Sequence, residues 1–489
     1  MSRINKKFFI STAIDYPSEK PHLGHCLEKV QADVLARYKR IQGFDVHFSI
    51  GVDEHGLKIQ RRAEKAKKKP QEFVDEMSKY FKELWETLNI SNNDFIRTTE
   101  KRHIKVVRDI LREINRKGDI YKGKYKGLYC VDCETYWLPR DLKGRNCPVH
   151  KKPVEEIEEE TYFFKMSKYK KNLLKHIEEN KDFIIPSSRK NEILNRLKEP
   201  IQDLSISRKK VKWGIPLPFD KKFTLFVWVD ALINYLTTTD YPAEKFKKFW
   251  PADVHIIGKD ITWHHSVIWG SLLLSLGLPL PKTIFVHGYI TSGGQKMSKS
   301  LGNVIDPFEL VKKYGTDAVR YFLLREIPPT EDGDFTYEKF ERRYNSDLAS
   351  GLGNLVARVL TMAKGKNYES GVMNQEIKEE IEKAWQKCKE ALENFKFNEA
   401  LSSIWELISF CDRYIEKERP WEKTDKQLFT IYHLLFTLAH IASMLQPFLP
   451  ETSEKIFKQL GIKPTQDSRF KIQNLRFKVK KEKPLFPRI

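Results

Sequence analysis

The sequence predicts an α/β protein in which a parallel β-sheet is split by a long insertion and followed by an α-helical bundle. Three observations predict it. A strand, a helix and a second strand follow one another at the N-terminus, the order expected of a parallel βαβ unit. Two more strand-like runs, Val254 to Ile257 and Thr283 to Val286, recur only after a long interval. Beyond about residue 348 the apolar pattern is helical throughout.

The elements follow in order. Phe8 to Ala13 is apolar and β-compatible, and it runs into the polar, proline-punctuated loop Asp15 to Pro21. Leu23, Leu27, Val30, Val34 and Tyr38 then recur at steps of three and four, one apolar stripe on a helix that starts close to Pro21. Asp45 to Ile50 is the next strand, and it leads into Gly51-Val52-Asp53-Glu54-His55-Gly56. Together they predict a right-handed βαβ unit of a Rossmann-type sheet whose ligand edge is the carboxyl end of its strands. The first half of the sheet domain is expected over residues 1–117 and the second over 224–290, with the insertion between them at 118–223. The insertion holds three of the six cysteines and the acidic run Glu155 to Glu160. A loop region at 291–347 precedes the helical domain at 348–489, which ends in a basic tail.

At 489 residues the chain exceeds one compact core, so several structural units are expected. A small binding module is excluded. Lys plus Arg number 87 against 66 Asp plus Glu, a net charge of +21 that favours a polyanionic partner or reflects a generally basic proteome. No secretory cleavage site follows the N-terminal apolar run, and the long apolar stretch Leu428 to Leu449 is broken by His433, His440 and Gln446. A buried bundle helix, no membrane association and a cytoplasmic location are expected. Six cysteines in so long a chain argue against a disulfide framework.

Three motifs carry chemistry. In Pro21-His22-Leu23-Gly24-His25 two imidazoles three residues apart share the first turn of a helix, where free N–H groups and the helix dipole favour phosphate. Gly24 between them leaves room for a ligand to approach the backbone; two histidines satisfied at a helix start is the plainer alternative. In Gly293-Gly294-Gln295-Lys296-Met297-Ser298-Lys299-Ser300 a glycine-hinged loop offers two ammonium groups and two hydroxyls to a polyphosphate, where a solvated basic loop is the alternative. The third is Cys130-Val131-Asp132-Cys133 followed by Cys147-Pro148-Val149-His150. Cys130, Cys133, Cys147 and His150 are four soft ligands spaced for tetrahedral zinc, with no position left for water, so the metal is expected to be structural.

The first two motifs, in this order and about 270 residues apart, resemble the two signatures of the class I aminoacyl-tRNA synthetases, His-Ile-Gly-His and Lys-Met-Ser-Lys-Ser. Leu23 replaces the isoleucine and the second signature is complete. Within that class the chain is most similar to the methionyl family, over nearly its whole length, and a zinc knuckle in the same insertion agrees. The resemblance implies activation of methionine by ATP, with Mg²⁺, and transfer to the 3′-terminal ribose of tRNA(Met), initiator tRNA included. His22, His25, Lys296 and Lys299 would be catalytic, and Gly24 and Ser298 would join them in ATP binding. The loop region becomes the signature loop and stem-contact region, and the helical domain an anticodon-binding domain.

An amino-acid pocket needs an anion for the ammonium group and apolar walls for the side chain. Asp53 suits the first role, with capping of the following helix as the alternative. Methionine, unbranched and polarizable, suits aromatic and aliphatic walls with one weak donor near sulfur. By similarity to the methionyl family these are Ala13, Ile14, Tyr16, Trp228, Ala231, Leu232, Tyr235, Ile261 and His265. Without that similarity the Trp228 segment reads as an amphipathic core helix. The resemblance likewise assigns Asn354, Arg358 and Trp421 to the anticodon, an amide, a guanidinium and an indole able to bond and stack on splayed bases.

The synthetases for isoleucine, valine and leucine carry a large hydrolytic insertion for which residues 118–223 leave little room. A cysteinyl enzyme would place a cysteine before His22, where there is none. A nucleotidyltransferase without a tRNA role leaves the helical region and the Lys296 loop unexplained, and a non-catalytic zinc and tRNA-binding protein leaves the charged signature residues unexplained. Three arrangements remain open for the tRNA-binding barrel that some family members append: a minimal monomer, a truncated chain, or a separate tRNA-binding subunit.

Overall fold

The computed structural model describes residues 6–132, 135–137, 139–149, 151–297, 302–364, 367–368, 374–422, 427–463, 476–480 and 482–489. Among them, six parallel strands form the central sheet: β1 (Lys7–Thr12), β2 (Asp45–Val52), β3 (Asp94–Arg97), β4 (Ile184–Ile185), β5 (Val254–Gly258) and β6 (Thr283–His287). Their spatial order is β3-β2-β1-β5-β6-β4. β1 lies at the centre, with Phe8 opposite Val46 of β2 and Ile10 opposite Val254 of β5. Both faces of such a strand are covered, so its side chains are apolar in both directions. Phe8 and Ile10 enter the core shared with helix α1 (Leu23–Ile41) and the C-terminal helices, whereas Phe9 enters the core shared with the insertion.

Two of the six strands carry no readable pattern. β3 buries only Ile96, and β4 is two residues long and comes from within the insertion to pair with β6. A strand this short has no periodicity to detect; its pairing follows from the packing of its neighbours. The rest of the insertion is an antiparallel sheet in which Ile120–Cys130 pairs with Glu155–Phe164 over ten positions, from Ile120↔Phe164 to Tyr129↔Glu155. This register explains the acidic run, because Glu158 and Glu160 face Lys126 and Lys124 across the ladder.

The C-terminal region is helical as expected. A π-helical stretch, Tyr344–Gly353, leads into Asn354–Met362, and then come Gln375–Glu393, Phe397–Glu418, Gln427–Leu445 and Pro450–Leu460. Every residue from Thr430 to Leu445 is buried, so this helix, apolar all round, is the central one of the bundle. The bundle packs on one face of the sheet: Phe285 of β6 stacks on Phe395 at 4.7 Å, and the two share one continuous core. The tail returns to the junction, pairing Phe477–Lys478 with Asn367–Tyr368 and setting Phe486 edge-on to Tyr344 at 5.9 Å.

Candidate active site

Among the described residues, a cavity of about 1020 Å³ opens at the carboxyl ends of β1, β2, β5 and β6. This is where a parallel sheet leaves its loops free to bind. Ala13, Ile14, Tyr16, His22, Gly24, His25, Asp53, Trp228, Ala231, Leu232, Tyr235, Ile261 and His265 all line it. The sequence therefore scatters these residues and the fold collects them.

The loop after β1 is held in an extended path by backbone bonds from Ala13 N to Ile256 O (3.1 Å), Asp15 N to Gly51 O (2.9 Å) and Asp53 N to Asp15 O (2.7 Å). Asp53 is buried at 7% exposure. The N-cap of the following helix, Leu57–Lys65, is Gly56 rather than Asp53, and Asp53 lines the cavity.

The two histidines differ from the sequence expectation in one respect. His22 is not in the first turn but is the N-cap of α1, and its Nδ1 accepts from the Gly24 N–H at 3.1 Å. The ring thus occupies a first-turn donor expected to be free for phosphate, and it carries its own proton on Nε2 when neutral. Gly24 serves this contact rather than an open space: a Cβ there would stand 2.8 Å from His22 Cε1. His25 meets the His22 backbone at 3.2 Å, with the two rings 4.1 Å apart. Burial, with His22 and Lys29 adding to it, keeps the His25 imidazole well below its ordinary pKa. It is therefore a neutral donor.

Beneath the histidines lies an ionic cluster that sequence reasoning missed. Lys29 is fully buried, pairs with Asp15 at 2.8 Å and with Glu28, and donates to Ala13 O at 3.0 Å. Glu28 also meets His287 Nε2 at 3.2 Å. One ammonium between two carboxylates cannot hold both ionised equally. Burial drives Asp15 up to about 7 against the attraction of Lys29, while for Glu28 the opposing burial is outweighed by Lys29 and His287, which hold it below the ordinary carboxylate range. The helical spacing of His25 and Glu28, three apart on α1, was a usable signal. Lys58, Asn234, Asp260 and Trp263 also line the cavity without having been anticipated.

The apolar walls come from helix Val227–Leu232 and from the π-helical turn His264–Ile268. Trp228 stacks on His264 with ring centres 3.9 Å apart. Tyr235 and His265 are bonded at 2.7 Å, and His265 Nδ1 lies 3.0 Å from the Ile261 carbonyl. Burial lowers His265 to about 4, so it is neutral, and the carbonyl requires the proton on Nδ1. Nε2 then accepts the hydrogen bond from the Tyr235 hydroxyl, so the donor expected for a thioether is engaged by the protein's own His265.

The lysine loop begins as a hairpin, Ile290–Ser292 against Gln295–Lys296, turned by Gly293 and Gly294, both at positive φ. Asp334 anchors it by accepting from Gly294 N and Thr291 Oγ1, each at 2.7 Å. Met297 lines the cavity. Ser298 and Lys299 lie outside the described residues, as does the side chain of Lys296. Of the expected zinc ligands, Cys130 and Cys147 are buried at 2% and 0% exposure, and Cys133 and His150 lie outside the described residues.

The three remaining candidates do not line this cavity and lie on the bundle. Asn354 is exposed, and Trp421 is 51% exposed on the turn after helix Phe397–Glu418. Arg358 reaches the end of that same helix, pairing with Glu416 at 2.7 Å and Asp412 at 3.4 Å.

Comparison with known proteins agrees with this geometry. The family model described as tRNA synthetases class I (M) matches residues 8–156 and 139–360, and the anticodon-binding domain of tRNA ligase matches 374–482. The methionine–tRNA ligase of Caldanaerobacter subterraneus is 45% identical over 99% of the chain and 79% of its own length. That of Bacillus subtilis is 44% identical over 100% and 79%. Methionyl-tRNA synthetase of Mycobacterium tuberculosis in complex with methionyl-adenylate superposes with a TM-score of 0.95 at 36% identity, covering 99% of this chain and 100% of that one. Its free-state form gives 0.87 at 33% identity, covering 100% and 99%. With its cavity at the carboxyl edge of the sheet, both signatures in order and a matched helical domain behind them, the chain belongs to the methionyl family of class I tRNA synthetases.

Proposed function

We propose that the chain is a methionine–tRNA ligase that makes methionyl-adenylate and pyrophosphate from methionine and ATP, then transfers the methionyl group to the terminal ribose of tRNA(Met), initiator tRNA included. The observation that carries this reading is the convergence of an anion, apolar walls and a histidine pair from separate segments on one cavity. Asp53 receives the ammonium group of methionine, and Ala13, Ile14, Tyr16, Trp228, Ala231, Leu232, Tyr235, Ile261 and His265 surround its side chain. A carboxylate oxygen then attacks the α-phosphorus, and the bond to pyrophosphate breaks. No protein nucleophile takes part.

His22 and His25 each direct an imidazole N–H at phosphate oxygens, and burial keeps His25 from adding a fixed charge of its own. Lys296 and Lys299 supply the positive charge at the phosphates, with Ser298 and Gly24, which lines the cavity, completing the ATP site. Mg²⁺ would accompany ATP and would supply charge neutralisation on the polyphosphate.

Zinc belongs in the insertion, held by Cys130, Cys133, Cys147 and His150. The two described thiols suit it: both are buried, and Cys147 sits in a tight turn, bonded to Lys152 O at 2.9 Å and accepting from Lys151 N at 2.8 Å. A closed four-ligand site stabilises the fold and performs no chemistry. The zinc-bearing insertion at 118–223 divides a catalytic domain at 1–117 and 224–290. The signature loop and stem-contact region at 291–347 join it to an anticodon-binding domain at 348–489, where Asn354, Arg358 and Trp421 read the anticodon in the cytoplasm.

Methionine-dependent ATP–pyrophosphate exchange tests this reading, run against isoleucine, valine, leucine and cysteine with a Lys296→Ala control. Exchange with methionine alone, lost in the control, is expected. Exchange with another amino acid overturns the pocket, and exchange with none overturns the activity.

A further inference from the structure

The ammonium site and the side-chain walls of the pocket stand on segments far apart in the chain, and one buried carboxylate ties them together. Asp230 lies on helix Val227–Leu232 between Trp228 and Ala231, is 1% exposed, and does not line the cavity. Its Oδ2 accepts from His55 Nδ1 at 2.7 Å across 175 residues of sequence, and its Oδ1 accepts from His103 Nε2 at 2.8 Å. His55 is two residues beyond Asp53, and its carbonyl accepts the Tyr16 hydroxyl at 2.8 Å. His103, on helix Lys101–Arg116, meets Thr237 Oγ1 at 3.0 Å with its other nitrogen, two residues beyond Tyr235.

We propose that Asp230, through His55 and His103, is a positioning residue that fixes the distance between the Asp53 carboxylate and the Trp228 and Tyr235 walls, and so sets the fit for methionine. This rests on the assignment of Asp53 and those walls to the methionine pocket. The geometry is specific. A carboxylate only accepts, so both imidazoles direct N–H groups at it, His55 through Nδ1 and His103 through Nε2. Burial opposes the charge on Asp230, and His55 and His103 outweigh it and hold the carboxyl below its ordinary range. With its partners on two other elements, the carboxylate cannot move without carrying helix Val227–Leu232 away from the Asp53 turn. Methionine touches both, whereas the phosphate-binding residues of α1 and the lysine loop stand on neither.

The test is steady-state ATP–pyrophosphate exchange by the full chain carrying His55→Leu, His55→Asn, Asp230→Asn or Asp53→Asn, each checked for its folded fraction by thermal unfolding. His55→Leu is expected to raise the methionine KM about tenfold or more while the ATP KM stays within about twofold. His55→Asn, whose amide N–H stands in the place of Nδ1–H, is expected to restore the methionine KM to within about threefold. Asp230→Asn preserves volume but removes one acceptor, and it repeats the His55→Leu split should that variant not fold. The proposal is overturned if His55→Leu and Asp230→Asn raise both KM values alike, leave the methionine KM unchanged, or lose activity only in step with the folded fraction. It is overturned equally if His55→Asn behaves as His55→Leu does. Should Asp53→Asn leave the methionine KM unchanged, the pocket assignment itself fails, which the His55 arms alone do not reveal.

Discussion

Replacing Arg320 with methionine removes the buried node at which the sheet domain meets the helical bundle. The guanidinium is fully buried, on helix Thr316–Arg325. It donates to Phe448 O at 2.8 Å, Leu88 O at 3.1 Å and Pro447 O at 3.0 Å, and pairs with Asp33 of α1 at 2.8 Å. Removing one partner of a buried pair costs about 3–5 kcal/mol, with no discount for solvent screening because neither side chain is exposed. Asp33 retains Arg37 at 2.7 Å and Ser91, which favours the lower figure, whereas three carbonyls lose a donor, which favours the higher. The expected loss is about 4 kcal/mol, a large part of the roughly 5–15 kcal/mol that holds a folded protein together.

The same change has a pH signature. Burial would raise the Asp33 carboxyl, but Arg320 and Arg37 outweigh it and hold it below the ordinary range. Its contribution is therefore present above the unfolded-state pKa and lost as pH falls through the folded one. The gap between wild type and Arg320→Met should be widest near neutral pH and narrow on acidification through the carboxylate range. Urea unfolding across that range, followed by tryptophan fluorescence, measures it. A loss under about 1 kcal/mol, or a gap that widens on acidification, refutes the reasoning.

Four further outcomes are expected. Tyr235→Phe removes the 2.7 Å bond that orients His265 and should raise the methionine KM roughly tenfold in pyrophosphate exchange. Asp334→Ala frees Gly294 N and Thr291 from their shared acceptor, and should lower the exchange kcat about tenfold with the methionine KM unchanged. Native mass spectrometry should find one zinc per chain, and its removal by a chelator should lower the thermal unfolding temperature and abolish charging. Trp421→Ala should raise the KM for tRNA(Met) about tenfold, the loss of one stacked base, and leave exchange unchanged.

Much of the site was legible because its residues sit where two local patterns meet. His22 and His25 stand where a strand pattern becomes a helix pattern and both line the cavity, and the glycine pair before Lys296 turns the hairpin as a turn requires, whereas Lys299 and the Lys296 side chain lie outside the described residues. Asp53 was legible as a carboxylate in the turn after the second strand, and it lines the cavity. What remained hidden depends on contacts that no local window contains. Nothing near Lys29 indicates that it is fully buried, since its partner Asp15 lies on the preceding loop and its neighbour Glu28 is held in turn by His287 of β6. His22 was misplaced by one position because a histidine is not among the residues that usually cap a helix. The fold followed the same rule. Central strands buried on both faces, such as Lys7–Thr12, announce themselves as apolar runs, but Ile184–Ile185 is a strand only because β6 offers it an edge. The acidic run Glu155 to Glu160 had no sequence explanation until its register set it against the lysines of Ile120–Cys130.

The most direct measurement is a single-turnover reaction of the purified chain with methionine and ATP, followed by addition of tRNA(Met). The structure predicts one equivalent of enzyme-bound methionyl-adenylate with release of pyrophosphate, then transfer of the methionyl group to the tRNA. Absence of the adenylate under saturating methionine and ATP, with the chain folded and zinc-replete, would contradict the account.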